Sequence, residues 1–119
     1  MGVLGRQQHR LGTVTKSAGG ERTYVAALEE EDEVLVEYNS DSRDPSRIVI
    51  EDGEGDVVFE EEVTSRESVT FEIEDPDEYA IRIEWGARAR IEVYATTETD
   101  EINVTIIDDD GSTWSRTVS

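Results

Sequence analysis

Apolar and polar residues alternate along most of this chain, and that alternation limits what it can fold into. In residues 78–85, Tyr79, Ile81, Ile83 and Trp85 fall on one face and Ala80, Arg82 and Glu84 on the other, the period of two that a half-buried strand requires. Val69, Phe71 and Ile73 repeat the pattern opposite Thr70, Glu72 and Glu74. Further strands are expected over residues 23–28, 33–38 (Val34, Val36, Tyr38 inward), 47–51 (Ile48, Ile50), 57–63 (Val57, Phe59), 89–95 (Ile91, Val93), 102–107 (Ile102, Val104, Ile106) and 112–118. No window of about ten or more residues carries a helical stripe. One polar face per strand points to antiparallel sheets. Short strands at a spacing of roughly 8–12 residues point to an all-β fold, an antiparallel β-sandwich or jelly roll of about eight strands.

The expected turns agree with this. Asp52-Gly53-Glu54-Gly55 and Asp110-Gly111 supply residues that tolerate positive φ between apolar runs, and Trp85-Gly86-Ala87 reads as a third tight reversal. Residues 40–45 and Asp75-Pro76-Asp77 contain the two prolines, which cannot donate to a ladder, and are expected as loops between sheets or over an edge. Residues 29–33 form a charged connection.

Charge narrows the setting. The 119 residues carry 30 acidic against 11 basic side chains, a net charge of -19, and Lys16 is the sole lysine beside ten arginines. That composition suits molar salt, where a Debye length of about 3 Å screens carboxylates that would otherwise repel. A halophilic archaeon, or a virus of one, is the expected source. The body should repel nucleic acid, having no basic face with interleaved aromatics. The charge is also uneven: residues 1–22 hold four basic groups against Glu21 alone, a net +3, while residues 23–119 carry a net -22. Being rich in glycine and polar residues, residues 1–22 are expected as a basic extended N-terminal arm, and residues 23–119 as the acidic β-sandwich domain. The arm should dock on acidic protein subunits, copies of the chain or other virion or envelope proteins, through Val3, Leu4, Arg6, Arg10, Leu11, Val14 and Lys16.

The segment 34–94 also has a recognisable order. A strand is followed by Arg47-Ile-Val-Ile-Glu-Asp-Gly-Glu-Gly-Asp-Val-Val-Phe59, then Val69-Thr-Phe-Glu-Ile73, then Glu78-Tyr-Ala-Ile-Arg-Ile83. This resembles the β-sandwiches of the emp24/GOLD and pre-peptidase C-terminal type, with Asp77-Glu78-Tyr79 standing where their pattern has Gly-Xaa-Tyr. The resemblance implies a binding or assembly module without catalysis.

The residues themselves offer little catalytic chemistry. Acidic runs coincide with strand ends and turns, which makes them a solvated face, and His9 is the lone histidine, so neither a Ser-His-Asp triad nor a multi-histidine metal site is expected. No phosphate-cradling glycine motif is present. The turns at 51–56 and 108–112 could offer oxygens to calcium, but neither has EF-hand spacing, and no metal or cofactor is expected. Asn103-Val104-Thr105 is a glycosylation sequon lying within an expected strand. With no cysteine there is no disulfide, and no apolar run approaches the roughly 18 residues that span a bilayer. Residues 1–11 lack the apolar core of a Sec-type export signal, so the expected location is a virion or high-salt cytoplasm. Two surface features remain: a basic cluster of Arg82, Arg88 and Arg90 around the expected reversal at Trp85-Gly86, and Trp114, each suited to a subunit contact.

Two readings emerge. One is a non-enzymatic structural or assembly protein (capsid, decoration or tail component), an oligomer or part of a larger assembly. The other is a ligand- or carbohydrate-binding module with Tyr24, Tyr94 and Trp114 around its site.

Overall fold

The computed structural model describes residues 5–119, the side chains at 16–18 and 87 excepted. The elements are β1 (Gln7–Leu28), β2 (Glu33–Asn39), β3 (Ser46–Glu51), β4 (Val57–Val63), β5 (Arg66–Glu72), β6 (Asp77–Thr97), β7 (Ile102–Asp108) and β8 (Thr113–Val118). All pairings are antiparallel. Among the described residues no helix is long and apolar enough to cross a membrane.

β1 and β6 are long enough to serve two sheets. The beginning of β1 pairs with the end of β6, which pairs with β2, which pairs with β5. The end of β1 and the beginning of β6 form the centre of a second sheet in the order β4-β3-β6-β1-β7-β8. Eight elements thus supply ten strands in two antiparallel sheets, a β-sandwich that does not close into a barrel.

The alternation sets the core. Tyr79, Ile81, Ile83 and Trp85 are buried, together with Ile48 and Ile50 from β3, Val34, Val36 and Tyr38 from β2, and Ile102, Val104 and Ile106 from β7. Arg82 and Glu84 face outward and pair with each other. The turns at 52–56 and 108–112 form as expected. Gly55 and Gly111 take φ of 86° and 88°, and Asp52 Oδ1 accepts from the amides of Glu54 and Asp56.

Two expectations are corrected. Trp85-Gly86-Ala87 is no reversal, because β6 runs straight through it. Its glycine serves the place where β1 and β6 pass together from one sheet to the other. A Cβ on Gly19 would lie 3.0 Å from the carbonyl oxygens of Trp85 and Gly86, and one on Gly86 3.1 Å from that of Pro45. Glycine here permits close approach of backbones.

The second correction concerns the arm. Residues 7–22 are the larger part of β1, and the boundary expected at residue 22 falls inside that strand. Leu11 and Val14, expected at a partner surface, are 0% and 1% exposed. Their apolar side chains fill the sandwich, with Gly12 between them buried and Thr13 half-buried. Val3 and Leu4 lie outside the described residues, as does the side chain of Lys16.

Candidate functional site

A β-bulge shapes the most distinctive surface of the molecule. Arg10 pairs with Tyr94 and Gly12 with Val93, so Leu11 is the extra residue, and its side chain turns into the core. Its carbonyl accepts a 2.5 Å bond from Arg116 Nη2 on β8. Gly12 follows for a steric reason. A Cβ there would lie 2.6 Å from Tyr24 Cε1 and 2.7 Å from its hydroxyl, so the ring of Tyr24 occupies the space a side chain would need.

Tyr24 is fully buried, and Arg22 lies two residues before it, on the same face of β1. Arg22 Nη2 donates to Asp108 Oδ2 at 3.2 Å, and its guanidinium lies 5.6 Å from the Trp114 ring, a cation–π contact. Trp114 is cross-strand neighbour to Ile106 and is 41% exposed. These groups surround a cleft of about 280 Å³ whose lining includes Arg10, Gly12, Arg22, Tyr24, Trp114 and Arg116. Among the described residues neither Arg10 nor Arg116 has a carboxylate within ion-pair distance.

The cleft also holds unspent hydrogen-bonding capacity. Among the described residues three buried side-chain polar atoms have no hydrogen-bond partner, and two of them, Arg22 Nε and Tyr24 Oη, line this cleft. Buried orphans of this kind are rare and costly. The third is His9 Nδ1; the other ring nitrogen, Nε2, meets the Thr99 carbonyl at 2.9 Å. Burial pushes the Tyr24 hydroxyl above the usual tyrosine pKa, against the opposing influence of Arg22 and Arg116. Burial acts to lower the Arg22 pKa, but Tyr24 and Asp108 outweigh it and the net direction is upward.

The other residues expected at a partner surface are placed differently. Arg6 is held within the chain by the buried Asp32 at 2.9 Å and by Glu31 and Glu98. Arg82 bonds Glu84 and Glu51 on the outer face of the six-stranded sheet, whereas Arg90, paired with Glu92 at 3.2 Å, belongs to the four-stranded one. The expected Arg82-Arg88-Arg90 cluster is therefore split, because β6 continues instead of reversing. Arg88 and Arg90 line a separate cleft of about 440 Å³, where Ser40 Oγ donates to the Arg88 carbonyl. Tyr94 does not join Tyr24 and Trp114; it donates to Glu92 across the outer face, which raises the Tyr94 pKa and lowers that of Glu92.

Asp108, Asp109 and Asp110 bring carboxylate oxygens within 4.8 Å of one another, in a turn where Asp110 Oδ1 accepts from the Ser112 amide. Asn103 is exposed in β7 and accepts from Thr117 Oγ1. Sequence reasoning joined Tyr24 and Trp114 in one candidate site with Tyr94, but assigned Arg10, Gly12 and Arg22 to an arm and did not bring Arg116 to that site. The bulge that brings them together leaves no mark in the residue pattern. No protein-family model matches this chain, and no curated protein matches it.

Proposed function

We propose that this chain is a non-enzymatic structural or assembly protein of a halophilic archaeon or its virus, a capsid, decoration or tail component that docks on acidic neighbouring subunits. The observation that carries the reading is the meeting of Arg10, Arg116 and the half-exposed Trp114 beside the first part of β1, in a chain whose net charge is -19. Among the described residues, that part of β1 is paired on one side only, to β6. Aromatic and arginine side chains together are the usual anchors of a protein contact. The docking element is thus the β1–β8 face rather than a free arm. Five other arginines already have partners: Arg6, Arg22, Arg47, Arg82 and Arg90 are bound to carboxylates of their own chain.

Light scattering at about 2 M salt, where long-range repulsion is screened, tests the reading. An oligomer is expected, and Trp114→Ser should reduce it to monomer. A monomeric wild-type chain at every concentration would overturn it. A second reading, a ligand- or carbohydrate-binding module like the emp24/GOLD or pre-peptidase sandwiches, is favoured by one observation, the presence of Tyr24 and Trp114 around a single cleft. Saturable heat on titration with simple sugars, lost in Trp114→Ser, is its expected signature; absence of that heat removes the carbohydrate form.

A further inference from the structure

We propose that the cleft between β1, β7 and β8 is a carboxylate-binding site, in which Arg22 Nε, the Tyr24 hydroxyl and the guanidinium groups of Arg10 and Arg116 receive the two oxygens of one carboxylate. The site deepens the assembly reading by naming the chemistry of the contact. Which molecule bears the carboxylate rests on that reading, but the site itself does not.

The groups around the cleft are nearly all donors. Arg22 Nε and Tyr24 Oη are buried with no hydrogen bond of good geometry, the Arg22 guanidinium and the Tyr24 hydroxyl lying beside each other, and a guanidinium can only donate. The nearby acceptors are already engaged: Asp108 by Arg22 Nη2 and the Leu11 carbonyl by Arg116. A surplus of convergent donors calls for a ligand that only accepts. The planar fork of arginine matches the two oxygens of a carboxylate. A phosphate would bring nearly two charges beside Asp108 in a chain of net charge -19, where a carboxylate brings one.

The site is also built. Tyr24 is 0% exposed, and its ring reaches the cleft because residue 12 has no side chain. Arg10 and Arg116 are exposed and Trp114 half-exposed. Together with Arg22 and Tyr24 they line the cleft. In an acidic protein the carboxylate most at hand is an Asp or Glu of a second copy.

The test uses the full chain, isotope-labelled so that arginine Nε–H resonances are resolved, and titrates sodium acetate in exchange for chloride at constant ionic strength. A saturable shift of the Arg22 Nε–H signal is expected. Tyr24→Phe keeps the ring and should weaken acetate binding about tenfold or more, as should Arg116→Gln. Light scattering of wild type and Tyr24→Phe is the second arm. A lower mass in Tyr24→Phe places the carboxylate on a second copy; an acetate shift with unchanged mass places it on a free ligand or another protein. No acetate-specific shift together with unchanged mass in Tyr24→Phe overturns the proposal, as does a response to chloride equal to that to acetate. A monomeric wild-type chain would end the assembly reading while the acetate arm still decides the site.

Discussion

Tyr24, Tyr79 and Tyr94 hold their protons more tightly than free tyrosine, each for its own reason. Burial leads at Tyr24 and at Tyr79, where Asp77, Asp75 and Asp52 add to it, and the bond to Glu92 leads at Tyr94. For an acid whose pKa is higher folded than unfolded, folding favours the protonated form. Its stabilisation is complete below the unfolded value of about 10 and is lost as pH rises through the folded value. The thermal midpoint should therefore hold steady up to about pH 9 and fall above about pH 10, with tyrosinate absorbance rising together with unfolding. A midpoint level through that range would contradict the assignment. Glu92 has the opposite sign, its contribution being present above its unfolded pKa and lost in acid. At the bulge, Leu11→Ala should cost about 2–5 kcal/mol in urea unfolding, and Gly12→Ala about 1–3 kcal/mol because its Cβ would overlap the Tyr24 ring. Both values would be near zero if these residues belonged to a free arm. Nothing in the sequence distinguished Leu11 from a residue of such an arm, since the glycines and polar residues around it carry no run of alternation.

Most elements were legible because each strand carries its own alternation, and β2, β3, β4, β7 and β8 lie within about one residue of their expected bounds. What escaped was continuity. The expected strands 78–85 and 89–95 are one element, β6, and the expected strand 23–28 is the end of β1. Glycine was the ambiguous signal: Gly86 reads equally as a turn or as a point of close approach, and only its neighbour across the ladder decides. Gly19 and Gly20 lie in β1 opposite that stretch, and a Cβ on Gly20 would come 2.8 Å from the Trp85 ring. Gly86→Val should therefore destabilise the whole sandwich rather than one hairpin, seen as a single lowered unfolding transition in circular dichroism. A chain beginning at residue 16 lacks the strand of β1 that lies beside the end of β6, and with it Leu11 and Val14. It is expected not to fold, visible as collapsed dispersion of amide resonances. A folded product would mean that this strand is dispensable.

At the scale of the whole molecule the net charge dominates. Exposed ion pairs contribute only about 0–1 kcal/mol each, so pairs such as Arg47–Glu60 at 3.0 Å cannot offset mutual repulsion among 30 carboxylates at low ionic strength. The thermal midpoint should rise by several degrees or more between about 0.1 M and 2 M potassium chloride. An unchanged midpoint would remove the halophilic reading. Composition disclosed that charge, but not that Arg10 and Arg116 would meet over one cleft, since they are brought together only when the bulge of β1 comes beside β8. The order of the chain has a last consequence. β1 leaves the ribosome before the other seven elements, yet its partner β6 is the sixth of the eight in chain order, and His9 meets Thr99 across 90 residues of sequence. The two sheets share β1 and β6, so neither closes early. The nascent chain must carry β1 unpaired until β6 has been made.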